Sequence, residues 1–240
     1  MNSDSQLQKK YSAIPSTLWP YYGDLRIKRP DHPIVKAIQS QGEDKTWQGI
    51  NSLFEITSQN TGLPSERLLQ DLGFDRSNLD DNHLQSIFAV IRTVNLLVPI
   101  GFTNLRPLPP NKSRRESDLL GEFNQTMFAI EVFRSNEVAY RFPNHNSPTQ
   151  NLQNYVATRY KEKRSQLDAS MNAHKCSKAL LVVVMDSQPA RALVSGDEWR
   201  VVAEKTFEMM GKPDNTHLLV FTGMADINGQ DEHILYPPLG

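Results

Sequence analysis

At 240 residues the chain has room for one large domain or two small ones, each with a real core. Charged residues make up 22 % and the formal net charge is −1, which excludes a polybasic nucleic-acid binder working through its whole surface but leaves local patches open. Cys176 is the single cysteine, so there is no disulfide framework and no cysteine-based zinc site, and a reducing intracellular setting fits best. The opening MNSDSQLQKK lacks an apolar h-region, and no run approaches the roughly 20 apolar residues of a membrane span. The expectation is a soluble, cytoplasmic protein without a membrane partner.

Residues 1–45 are polar and broken by Pro15, Pro20, Pro30 and Pro33. They read as an arm packed on the body through Trp19, Tyr21 and Tyr22. A helical region follows over 46–79. Trp47, Ile50, Leu53, Phe54 and Thr57 recur at helical spacing, and Pro64–Ser65 opens a shorter helix carrying Leu68, Leu69 and Leu72. Asp80 or Asp81 can cap a longer helix with Leu84, Ile87, Phe88, Ile91 and Val94 on one stripe, which Pro99 should stop. This helix opens a third segment, 80–240, read as an α/β core.

Within that core, residues 102–105 suit a short strand, and the proline-rich, charged stretch 107–117 suits a loop. Residues 117–135 then read as a β-hairpin turning at Asn124 and Gln125, with Asp118 near its start and Glu131 in its second strand. A two-residue or four-residue connection sets these two acids directly opposite each other on one face. Paired side chains lie about 5 Å apart at Cβ, close enough for two carboxylates to share one hard cation. An ionised acid in an apolar strand needs a compensating partner, and a metal ion is one. Glu122 falls on the same strand face as Asp118 and is a candidate third acid.

Beyond a second loop over 143–148, a helix is expected over 151–172, with Leu152, Val156, Tyr160, Leu167 and Met171 on its buried stripe. Arg159, Lys161, Lys163, Arg164, Lys175 and Lys178 face only Glu162 and Asp168 over 151–178, a local balance of +4. Residues 179–186, ALLVVVMD, form an unbroken apolar run of the kind found in strands buried on both faces. Ser195 with Glu198 is a capping box for a further helix ending near Gly211. HLLVFTG, residues 217–223, is another buried strand, and the tail supplies an edge strand.

Taken together, this order of elements resembles the PD-(D/E)XK nuclease superfamily over roughly residues 80–223. Ser117-Asp118 stands at the position of the family's PD, and Glu131-Val132-Phe133 at its (D/E)XK. The resemblance implies a restriction-endonuclease-like fold, a mixed central sheet flanked by helices, here with a helical N-terminal region. It also implies Mg²⁺, or Mn²⁺, on Asp118 and Glu131 with Glu122 as a further ligand, and metal-dependent hydrolysis of DNA phosphodiester bonds in restriction, repair or defence.

The motif departs from the family at its lysine, where Phe133 stands. Arg134 is adjacent, but alternation aims it at the opposite face. Some members of the family draw this cation from the following helix, and there Lys163 falls within the stripe of Val156, Tyr160 and Leu167, whereas Lys161 and Arg164 point away. Lys163 is therefore the candidate third catalytic residue, the alternative being a lysine that runs its stem along the core and exposes its amine. Arg114, Arg115, Lys161 and Arg164 are the candidate phosphate contacts. The rival reading is a catalytically inactive nuclease-fold protein that binds nucleic acid or assembles a complex, with other subunits or a second copy as partners. The six histidines show no paired ligand spacing, there is no Walker, GxSxG or GxGxxG motif, and Cys176 reads as a packed thiol rather than a nucleophile.

Overall fold

The computed structural model describes residues 3–110, 116–135, 148–185, 197–222 and 233–239. The expected loop at 143–148 up to residue 147, Asp186, and the proposed capping box of Ser195 with the side chain of Glu198 lie outside the described residues. The chain divides into two compact units, Met1–Pro99 and Ile100–Gly240.

The first unit is helical: α1 (Ser3–Lys10), α2 (Leu18–Lys28), α3 (Pro33–Gln41), α4 (Glu43–Thr61), α5 (Ser65–Asp71) and α6 (Asp81–Ile100). Its ends follow local chemistry. Pro33 opens α3 behind His32, whose Nδ1 accepts from the Ile34 amide at 3.3 Å. Gly62 closes α4 in the left-handed region at φ 69°. Asp80 caps α6, its Oδ1 accepting from the Asn82 amide at 2.8 Å.

Two expectations change here. The expected arm at 1–45 holds α1, α2, α3 and the start of α4, and Tyr21 and Leu25 within it are fully buried. The boundary falls at Pro99 rather than 79/80, because Leu84, Ile87, Phe88 and Ile91 of α6 join the apolar cluster of Trp19, Trp47, Phe54 and Leu68. Pro99 lies inside the last turn of α6, which continues to Ile100. Proline lacks the amide N–H, so this last turn forms without a bond from residue 99 to the Asn95 carbonyl. By length and composition α6 could cross a membrane, yet Leu84, Ile91, Val94 and Leu97 are buried in the protein.

The second unit is α/β. Six strands lie side by side in chain order: β1 (Thr103–Pro107), β2 (Leu119–Phe123), β3 (Thr126–Ser135), β4 (Lys178–Met185), β5 (Thr216–Thr222) and β6 (His233–Tyr236). The pairs β1·β2, β2·β3 and β5·β6 are antiparallel, while β3·β4 and β4·β5 are parallel. The parallel pairs require crossovers, supplied by α7 (Pro148–His174) and α8 (Asp197–Met209). Both helices pack on the face that carries Leu120, Ala129, Phe133, Leu181 and Val183. Every residue of β4 after Lys178 is buried, as its unbroken apolar text requires.

The β2–β3 hairpin turns where expected. Asn124 and Gln125 take φ 47° and 63°, the doubly left-handed two-residue connection whose twist suits paired strands. It fixes the register Leu119↔Ile130. Extending that register by one residue brings Asp118 opposite Glu131.

Candidate active site

Asp118 lies just before β2 rather than inside it, which frees its carboxylate to turn across the hairpin. Its Oδ2 accepts from the Val132 amide at 2.8 Å. Glu131 sits in mid-β3 with its side chain 1 % exposed. The strand face that buries Ala129 and Phe133 under α7 therefore also buries an acid. Both carboxyls are shifted upward. Burial pushes Asp118 to about 6, against the opposing pull of the Val132 amide and the Lys163 charge. Burial, and then the neighbouring Asp118, push Glu131 to about 8, against Lys163. Two acids facing each other in a poorly solvated site share protons as a pair.

The compensating charge comes from α7. Lys163 Nζ lies 2.5 Å from Glu131 Oε1, with its own side chain 32 % exposed. At that distance the ammonium is the direct partner of the buried Oε1. Phe133 occupies the next position on this face, packed edge-on against Tyr155 at 6.0 Å. The lysine beside Glu131 thus comes from α7 and not from β3.

Gln166 ties the cluster together. Its Nε2 donates to Glu131 Oε2 at 3.0 Å and to the Glu116 carbonyl, while its Oε1 accepts from Lys163 Nζ at 3.2 Å. An ammonium can only donate and a carbonyl can only accept, so these partners fix which way the amide faces. The contacts continue along the helix. Ser170 Oγ accepts from the Ser117 amide at 2.6 Å. His174 Nε2 lies 3.4 Å from the Glu116 carboxylate, an ion pair when the imidazole is protonated. Residues 163, 166, 170 and 174 recur every three or four positions, so one polar stripe of α7 binds residues 116–117 and Glu131. Sequence reading found Lys163 and missed Gln166, Ser170 and His174. The available signal was that same spacing, set beside the apolar stripe.

Asp118, Glu131 and Lys163 are therefore brought together, and Glu122 is not. Glu122 accepts from Asn104 Nδ2 at 2.7 Å, four residues or roughly 13 Å along the strand from Asp118. Alternation gave it the right face, but side-chain period says nothing about distance along the strand. Among the described residues no group of three or more His, Cys, Asp or Glu gathers. Lys161 and Arg164 are exposed on α7, Arg164 lying 3.9 Å from Asp168. Arg114 and Arg115 lie outside the described residues. Cys176 is buried, and burial raises its thiol pKa, as expected of a packed thiol.

The donors present suit one small hard cation. Magnesium commonly takes one or two carboxylates and completes its octahedron with water and phosphate oxygens. Asp118 and Glu131 supply the two, and the buried Glu131 Oε1, met here by the Lys163 ammonium, is an oxygen such a cation could take. Compared with protein-family models, with curated proteins and with solved structures, the chain gives no match.

Proposed function

We propose that the protein is a metal-dependent nuclease that hydrolyses DNA phosphodiester bonds, its second unit being a restriction-endonuclease-like core. The observation that carries this reading is the meeting of Lys163 with Glu131 beside Asp118. In this reading the lysine that the motif lacks on the strand is supplied by Lys163 of the next helix. Asp118 and Glu131 would hold Mg²⁺ or Mn²⁺; when bound, the metal supplies Lewis acidity and an activated water. Asp118 is aimed by the Val132 amide and Glu131 by Gln166, so both carboxylates are oriented before substrate arrives. Lys163 offers a positive charge to the non-bridging phosphate oxygens, where negative charge grows in the transition state. Lys161 and Arg164, exposed on the same helix, with Arg114 and Arg115 just ahead of Asp118 in sequence, would contact the DNA backbone.

A second reading draws on the same contacts. Lys163 and Gln166 already compensate Glu131 in a closed polar network, as suits a nuclease fold that binds or assembles without cleaving. Supercoiled plasmid and single-stranded DNA incubated with the protein in Mg²⁺ or Mn²⁺ separate the two. Cleavage is expected with metal, lost in a chelator, and reduced by roughly 10²-fold or more in Asp118→Ala and Glu131→Ala. Cleavage that persists unchanged in both variants sinks the site assignment. Binding without cleavage by the wild type moves the assignment to the second reading.

A further inference from the structure

The contacts of Glu131 carry a consequence for metal binding. One carboxylate oxygen, Oε2, is fixed by Gln166 Nε2 at 3.0 Å. The other, Oε1, is buried and is held by the Lys163 ammonium at 2.5 Å. A divalent cation bound to Oε1 and an ammonium at that distance would occupy the same space and repel each other. Lys163 is free to retreat, because its side chain is one-third exposed and its ammonium has a second attachment, Gln166 Oε1 at 3.2 Å.

We propose that Lys163 is a built-in competitor for the metal. In the metal-free protein its ammonium stands in for the cation at Glu131 Oε1. On metal binding it withdraws to Gln166, which keeps it beside the site and turned toward incoming phosphate. Gln166 is thus a positioning residue for both partners. While the ammonium leaves, its Nε2 keeps the carboxylate from rotating after it. The Glu116 carbonyl, bound by the same Nε2, anchors the amide against the strand entry. This inference rests on the reading of Asp118 and Glu131 as metal ligands.

The test measures Mn²⁺ binding to the full chain without DNA, counting free Mn²⁺ by electron paramagnetic resonance. Lys163→Met removes the competing charge and is expected to bind at least roughly tenfold more tightly than wild type, since one unit charge at this range outweighs that factor. Lys163→Gln, which keeps a polar head should the methionine variant fail to fold, is expected to shift in the same direction. Lys163→Arg, still charged, stays near wild type. A wild type that binds no Mn²⁺ while Lys163→Met binds it also supports the proposal, as an unmasked site. Equal or weaker binding by both neutral variants, with wild-type binding abolished in Asp118→Ala, overturns the competition and leaves the metal reading standing. No binding by any variant, together with no cleavage by the wild type, overturns both.

Discussion

At the scale of single residues, the acid pair has a pH signature. Glu131 and Asp118 hold their protons more tightly in the folded chain, at about 8 and about 6, than at their ordinary values of 4.5 and 3.8. Between those ordinary values and the raised ones the folded state therefore binds more protons than the unfolded state, and stability falls as pH rises. The stabilising contribution is full below about pH 4 and is lost by about pH 8. Glu131→Gln removes the group with the larger shift and keeps an acceptor for Lys163. Its melting temperature should fall less than that of the wild type between pH 5 and pH 8 in metal-free buffer, by roughly 2–4 °C for each kcal/mol involved. Thermal unfolding curves at several pH values check this, and parallel pH dependences in the two proteins would contradict it. Between about pH 6 and pH 8 the pair holds about one proton, so metal binding near neutrality should release it and strengthen as pH rises.

At the scale of elements, α7 acts as a lacing rod, and its polar stripe is where sequence reading fell short. The hairpin was legible because its turn and its alternation are local: Asn124 and Gln125 set the connection, and the connection sets the register that opposes Asp118 and Glu131. Lys163 was legible because helical period places it on the inward stripe. Gln166, Ser170 and His174 were not. A polar residue on an amphipathic helix reads as solvated until its partner is known, and the partners here are backbone groups and a carboxylate of residues 116–117, some fifty residues earlier in the chain. The extent of the first unit was hidden for a similar reason. The stripe of α6 is plain in the sequence, but not the cluster it joins. Ser170→Ala tests the lacing. It leaves the Ser117 amide buried without an acceptor, which should cost about 1–3 kcal/mol in chemical denaturation and loosen the approach to Asp118. A change below about 0.5 kcal/mol would show that the amide finds another acceptor or water, and that the stripe is incidental.

At the scale of the whole molecule, a chain with net charge −1 must bind DNA through a local surface or not at all. Lys161 and Arg164 are exposed on α7 on either side of Lys163 in sequence, so the proposed phosphate contacts and the proposed catalytic lysine would share one helix. If Lys161 and Arg164 contact phosphates, each alanine substitution should weaken DNA binding regardless of sequence and reduce the slope of log K against log salt by about 0.9. Fluorescence anisotropy across a salt series measures this. Unchanged slopes would place the DNA surface elsewhere. The most direct measurement of the central claim, that two hairpin acids and a helix lysine form one cation-handling site, is anomalous scattering from crystals soaked in MnCl₂. One peak is expected, bonded to carboxylate oxygens of Asp118 and Glu131, with Lys163 Nζ withdrawn from Oε1 toward Gln166. No peak at these acids, with Lys163 still seated on Glu131 at saturating Mn²⁺, would contradict it.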